Sequence, residues 1–286
     1  MKRRAPVAWA IIAVLVAACV AGGCTTIPFS DASTAPLTAE AALSARNTDS
    51  TGYTALSATR AKALAKDAKV YVTYGQSNAT NAGALEHQPN GDVYMVYRGR
   101  TYPFFDPVLG GTGTGGSVWG RLGERLLANG DPGVFFATAG YGGASMQELA
   151  ASPHIDHFIG ELTATKAALG HIDGVLIHQG ETNNRAMRGP ANYRAAFDGL
   201  LARIRTVTDA PVYLSQATIC GNDSDRRLLE LQDRIIRETP GVLRGPNTDT
   251  LSDPSDRLDD GCHFSAKGLD KFADLWVETL GAASEE

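Results

Sequence analysis

Five short runs, apolar on both faces, constrain this chain more than any other feature: "KVYVTY" (69–74), "GVFFATA" (133–139), "GVLIHQ" (174–179), "PVYLSQA" (211–217) and "GVLRG" (241–245). Strands that read this way have both faces covered, as in a parallel sheet packed between helices. The intervening segments have helical spacing. "VWGRLGERLLANG" stops at Asn129-Gly130, "HFIGELTATKAALG" closes on Gly170, and the stretch opened by Pro190 aligns Tyr193, Phe197, Leu200, Leu201 and Ile204 on one face. Right-handed crossovers turn such βα units into a three-layer α/β/α sandwich with a five-stranded parallel, flavodoxin-like sheet. At 286 residues, 43% hydrophobic and 20% charged, the chain suits one such domain, placed at 56–286, with a tail before it.

An open parallel sheet binds its ligands outside the carboxyl ends of its strands. The residues that follow each run are therefore the ones to inspect: Gly75-Gln76-Ser77-Asn78, then Gly140 to Ser145, then Gln179-Gly180-Glu181-Thr182-Asn183, then Cys220-Gly221-Asn222, and last "DDGCHFS" at 259–265. A serine hydroxyl becomes a nucleophile when a histidine takes its proton and a carboxylate holds that histidine in one tautomer. Asp260 and His263, three apart in a loop entering a helix, have the spacing to act together on Ser77. Convergent donors for an oxyanion are available in the Ser77 backbone N–H, a glycine N–H from the 142–143 pair, and the Gln179 amide. Gln76, Asn78, Gly142, Glu181 and Asn183 share these segments and are candidates for contacting substrate; a buried Glu181 would need partners and could instead help position the histidine.

The four blocks "GQSN" (75–78), "GYGGAS" (140–145), "HQGETN" (178–183) and "DGCHFS" (260–265), in that order, resemble those of the SGNH hydrolases. The match is nearest to the sialate O-acetylesterase and acetylxylan esterase branch and covers about 67–281. The resemblance implies a serine esterase that removes acetyl or other short acyl groups from carbohydrate through an acyl-enzyme, without metal or cofactor. By it Ser77 is the nucleophile, His263 the general base and acid, Asp260 the group that orients it, and Ser77, Gly143 and Gln179 the oxyanion donors. Ala144, where the branch often has Thr, and Ala79, where Met is common, are departures. A noncatalytic carbohydrate-binding or envelope protein on the same fold, and a lipase or thioesterase, are the alternative functions.

Lys2, Arg3 and Arg4 followed by "APVAWAIIAVLVAAC" read as a signal peptide over 1–23. "VAAC" and "AGGC" make Cys19 and Cys24 the lipidation candidates, with Cys24 favoured; a diacylated cysteine would anchor the mature chain to a membrane. Residues 24–55, rich in Ser, Thr and Ala, read as a flexible tether. The expected location is the cell envelope or the medium, an oxidising setting in which Cys220 and Cys262 can pair. The net charge of −5 falls to −8 when the three leader cations go, which argues against a nucleic-acid partner. His154 and His157 lack a third ligand nearby and read as a helix start rather than a metal site. "GTGTGG" (111–116) has no acid about twenty residues on, where a dinucleotide site needs one, and reads as a flexible loop near the substrate.

Overall fold

The computed structural model describes residues 46–282 except 52, 185 and 222. The leader, with Cys19 and Cys24, lies outside the described residues, as does Asn222.

Seven strands form one sheet: β1 (Lys69–Gly75), β2 (Val93–Tyr97), β3 (Arg100–Pro103), β4 (Val134–Gly140), β5 (Gly174–His178), β6 (Val212–Gln216) and β7 (Val242–Asn247), in the order β3-β2-β4-β1-β5-β6-β7. The five expected strands take the flavodoxin-like order, with β1 between β4 and β5. The count of five is corrected to seven. β2 runs parallel to β4 at the edge and folds back into the antiparallel β3. The turn between them places Arg98 at φ 50° and Gly99 at φ 70°, the paired left-handed conformation that suits a two-residue hairpin. Glu161 Oε2 accepts the Arg98 N–H at 2.8 Å, which helps hold the non-glycine residue there.

Alternation along β1 divides the core into two layers. Val70, Val72 and Tyr74 face one cluster with α4 (His154–Leu169), α5 (Tyr193–Arg205) and α6 (Arg226–Glu238), through Phe158, Phe197 and Ile235 among others. Tyr71 faces the other, where Trp119 of α2 (Trp119–Ala128) packs 5.9 Å from Trp276 of α7 (Ala266–Ala282). A short α1 (Ala58–Ala65), capped by Ser57, and a one-turn α3 (Met146–Leu149), capped by Ser145, complete the α-helices among the described residues.

Asn47 and Tyr53, expected to belong to the tether, make contacts with the domain. Asn47 exchanges backbone hydrogen bonds of 2.8 Å with Gly110 and Gly111, Tyr53 stacks on Phe105, and the Leu56 N–H reaches the Thr101 carbonyl of β3 at 2.8 Å. Its low-complexity composition hides backbone and ring contacts that need no periodic pattern.

Candidate active site

After β4 the chain crosses β1 and adds β5, β6 and β7 on its other side, so the carboxyl end of β1 lies where the strand order switches and a crevice opens. Gly75 is required there by close approach, since a Cβ would stand 1.9 Å from the His178 carbonyl oxygen. The Gln76 N–H donates to that same oxygen at 3.2 Å, and the Gly75 carbonyl accepts from Tyr141 at 3.0 Å. Anchored on both sides, the chain turns at once into a 3₁₀ segment, Ser77–Ala79. The Ser77 side chain caps nothing. Its Oγ lies 2.9 Å from His263 Nε2, and His263 Nδ1 lies 2.6 Å from Asp260 Oδ2.

The loop bearing the imidazole is held from within and from outside. Asp260 Oδ1 accepts the Cys262 and His263 N–H groups at 2.8 and 3.0 Å, and Leu258 donates to the His263 carbonyl at 2.8 Å. Burial tends to raise the Asp260 pKa, but those two N–H groups and the His263 ring outweigh it and hold the carboxyl below its ordinary range. The carboxylate is thus in the form that accepts the Nδ1 proton. The Cys262 carbonyl accepts from Asn78 Nδ2 at 3.1 Å and from Arg257, whose guanidinium lies 4.6 Å over the Phe264 ring.

Cys262 and Cys220 are joined by a disulfide that ties this loop to the one after β6. Both cysteines line the cavity on which Ser77 and His263 open. The bond closes 42 residues, and in the chain-entropy account such a crosslink contributes about 4 kcal/mol. Because it sits one residue from the imidazole, its reduction is expected to lower kcat severalfold while the fold persists. Parallel rate and far-ultraviolet circular dichroism measurements with and without dithiothreitol check this; an unchanged rate removes the positioning role.

The cavity holds about 430 Å³ and is walled by Thr80, Thr112, Gly113, Thr182 and Met187 besides the residues above. Sequence reasoning placed "GTGTGG" beside the substrate but did not single out Thr112. It expected a flexible loop; Asn81 instead pairs with it on both sides, accepting from Gly115 at 2.8 Å and donating to the Thr112 carbonyl at 3.1 Å. Met187, 54% exposed, carried no signal at all in the sequence.

Several expected site residues are placed elsewhere. Gln179 is fully buried, and its Nε2 faces Asn183 Oδ1 at 2.8 Å with Gln76 Oε1 and the Ala144 carbonyl at 3.2 Å, so the expectation that it donates to an oxyanion is corrected. Asn183 is also inside, accepting from Met146 N–H and donating to Gln147 and the Gly189 carbonyl. Glu181, 1% exposed, accepts at Oε1 from Asn78 and from His178, each at 2.8 Å. These three are scaffold, not substrate contacts: the turn after β5 points them under the crevice, which strand-end position alone could not reveal. Asn78 belongs with them, since its Nδ2 is fully engaged. Of the two glycines, Gly142 gives its N–H to Thr112 Oγ1 at 2.7 Å, whereas the Gly143 N–H has no partner among the described residues.

His154 and His157 do start a helix, but packed rather than exposed: His154 lies 4.2 Å from the Tyr141 ring, and His157 Nδ1 meets the Tyr141 hydroxyl at 2.7 Å. Among the described residues, no group of three or more His, Cys, Asp or Glu side chains is placed to hold a metal ion.

A mostly parallel sheet packed between helices, ordered as here, is the fold of the SGNH hydrolases. Solved structures of that fold align over three quarters of this chain. A protein from Arabidopsis thaliana matches at 12% identity over 76% of this chain and 98% of its own, with a TM-score of 0.59. NanS matches at 15%, over 77% and 99%, with a TM-score of 0.52. A carbohydrate esterase family 3 protein from Talaromyces cellulolyticus matches at 14%, over 76% and 99%, with a TM-score of 0.50. No family model and no curated protein matches the sequence.

Proposed function

We propose that this protein is a serine esterase that removes acetyl or another short acyl group from carbohydrate. The observation that carries the reading is the hydrogen-bonded chain Asp260–His263–Ser77, at 2.6 and 2.9 Å, opening on a cavity. His263 Nε2 takes the Ser77 proton as Oγ attacks the ester carbonyl, and Asp260 stabilises the resulting imidazolium. The tetrahedral oxyanion lies against the Ser77 and Gly143 N–H groups. His263 then returns the proton to the departing sugar oxygen, leaving an acyl-serine. Water adds to that ester with His263 again as base, and the acid is released with Ser77 restored.

The carbohydrate part rests on the resemblance of "GQSN", "HQGETN" and "DGCHFS" to the sialate O-acetylesterase and acetylxylan esterase branch, and a neighbour in fold that is a carbohydrate esterase is in keeping with it. The leader supports export and a lipid anchor at Cys24 or Cys19; the mass of the mature N-terminal peptide tests this. Acetate released from acetylated xylan, acetylated sialic acid and acetylated peptidoglycan fragments tests the activity, alongside p-nitrophenyl acetate. Turnover of none of these esters removes the esterase reading; turnover that rises with acyl length favours a lipase or thioesterase.

A further inference from the structure

With Gln179 facing inward, the wall beside the nucleophile lacks the side-chain donor expected of it, and Gln76 has one to offer. Gln76 Oε1 accepts from the Thr182 N–H at 3.1 Å, Gln179 Nε2 at 3.2 Å and the Gly180 N–H at 3.5 Å. Backbone amides can only donate, so the atom they meet is the oxygen and the orientation of the Gln76 amide is determined. Its Nε2 is consequently directed away from that cluster. Nε2 has no hydrogen-bond partner among the described residues, yet it is not among the sealed, unpartnered polar atoms of the interior. Gln76 itself is 2% exposed and lines the cavity together with Ser77, Gly143 and His263. A free N–H₂ on a side chain pinned at its other end is a preorganised donor, the kind of group that stabilises charge developing on a neighbouring oxygen.

We propose that Gln76 is a catalytic residue whose Nε2 donates to the oxyanion of the tetrahedral intermediate, joining the Ser77 and Gly143 N–H groups. The proposal rests on the serine esterase reading.

Gln76→Glu tests it. The glutamate keeps an acceptor for Thr182 and Gly180 but replaces the donor with an oxygen. A role in the transition state alone predicts that kcat on p-nitrophenyl acetate falls about 10²–10³-fold with KM little changed; a kcat within a few-fold of wild type overturns the proposal. A second measurement does not depend on the variant folding. Wild-type protein treated with p-nitrophenyl methylphosphonate, in which Ser77 Oγ displaces p-nitrophenolate from phosphorus, is crystallised, and the phosphonyl oxygen is expected within hydrogen-bond distance of Gln76 Nε2. An amide turned away from that oxygen overturns the assignment. A wild-type protein that neither hydrolyses the acetate nor takes the phosphonate on Ser77 removes the esterase reading and this one together, whereas labelling and hydrolysis that survive Gln76→Glu unchanged remove only the latter.

Discussion

Replacing Ser77 with alanine is expected to lower kcat on p-nitrophenyl acetate by about 10⁴-fold or more, with the fold and Tm preserved. Among the described residues Ser77 makes no side-chain hydrogen bond other than that to His263, so its truncation removes the nucleophile and little else. His263→Ala should cost a similar factor, and the double variant should be hardly worse than either single one, since nucleophile and base act as a unit. Asp260→Asn is the finer probe. It retains an oxygen but loses the charge that selects the Nδ1-protonated tautomer, and a fall of about 10⁴-fold is the expected scale. Asp260 is 46% exposed at its side chain, so water can stand in partly, and the measured loss should be smaller than for Ser77→Ala. Equal rates for wild type and Ser77→Ala would end the enzymatic reading of the site.

Replacing Glu181 should instead strike stability. Glu181 and His178 are both sealed from solvent, 2.8 Å apart at the base of the crevice. Removing Glu181 leaves the buried His178 ring and Asn78 amide without their shared acceptor, at a cost of about 1–3 kcal/mol. Glu181→Ala is therefore expected to lower Tm by about 2–4 °C for each kcal/mol lost in a domain of this size, as calorimetry would record. Turnover should fall as well, because Asn78 links Glu181 to the Cys262 carbonyl; an unaltered Tm would show that the pair contributes no net stability. The pH dependence has a definite sign. Burial alone would raise the Glu181 pKa, but the His178 ring and the hydrogen bonds from His178 and Asn78 outweigh it and depress the carboxyl below its ordinary 4.5. A carboxyl depressed by folding adds stability above its unfolded value, and that share is lost as pH falls through the folded value. Wild type should lose stability below about pH 4.5 on this account; Glu181→Gln should lack that component.

Much of this arrangement was legible before any coordinates. Runs apolar on both faces announce covered strands, and the glycine-rich or polar segments after them mark the rim where Ser77, Asp260 and His263 meet. The β2–β3 hairpin was not legible, because "VYMVYRGRTYP" places a left-handed arginine in its turn, and no rule of composition favours Arg98 there. Gln179 was misread for a different reason. Its place at a strand end was correct, but the strand stops at His178 and the next residue turns under the sheet to meet Asn183. Which way a side chain points after a strand ends depends on partners distant in sequence, here Gln76 and the Ala144 carbonyl.

The stretch from Arg46 to Leu56 bears on how the domain should be cut for expression. A recombinant chain begun at Ser57 would retain every strand and α-helix named above, yet Gly110 and Gly111 would lose Asn47, and β3 would lose its contact with Leu56. Thr112, which receives the Gly142 amide, directly follows that glycine pair. A clone that keeps Arg46 to Leu56 retains these contacts, and a shorter one trades a tidy start for a cavity wall missing its outer brace.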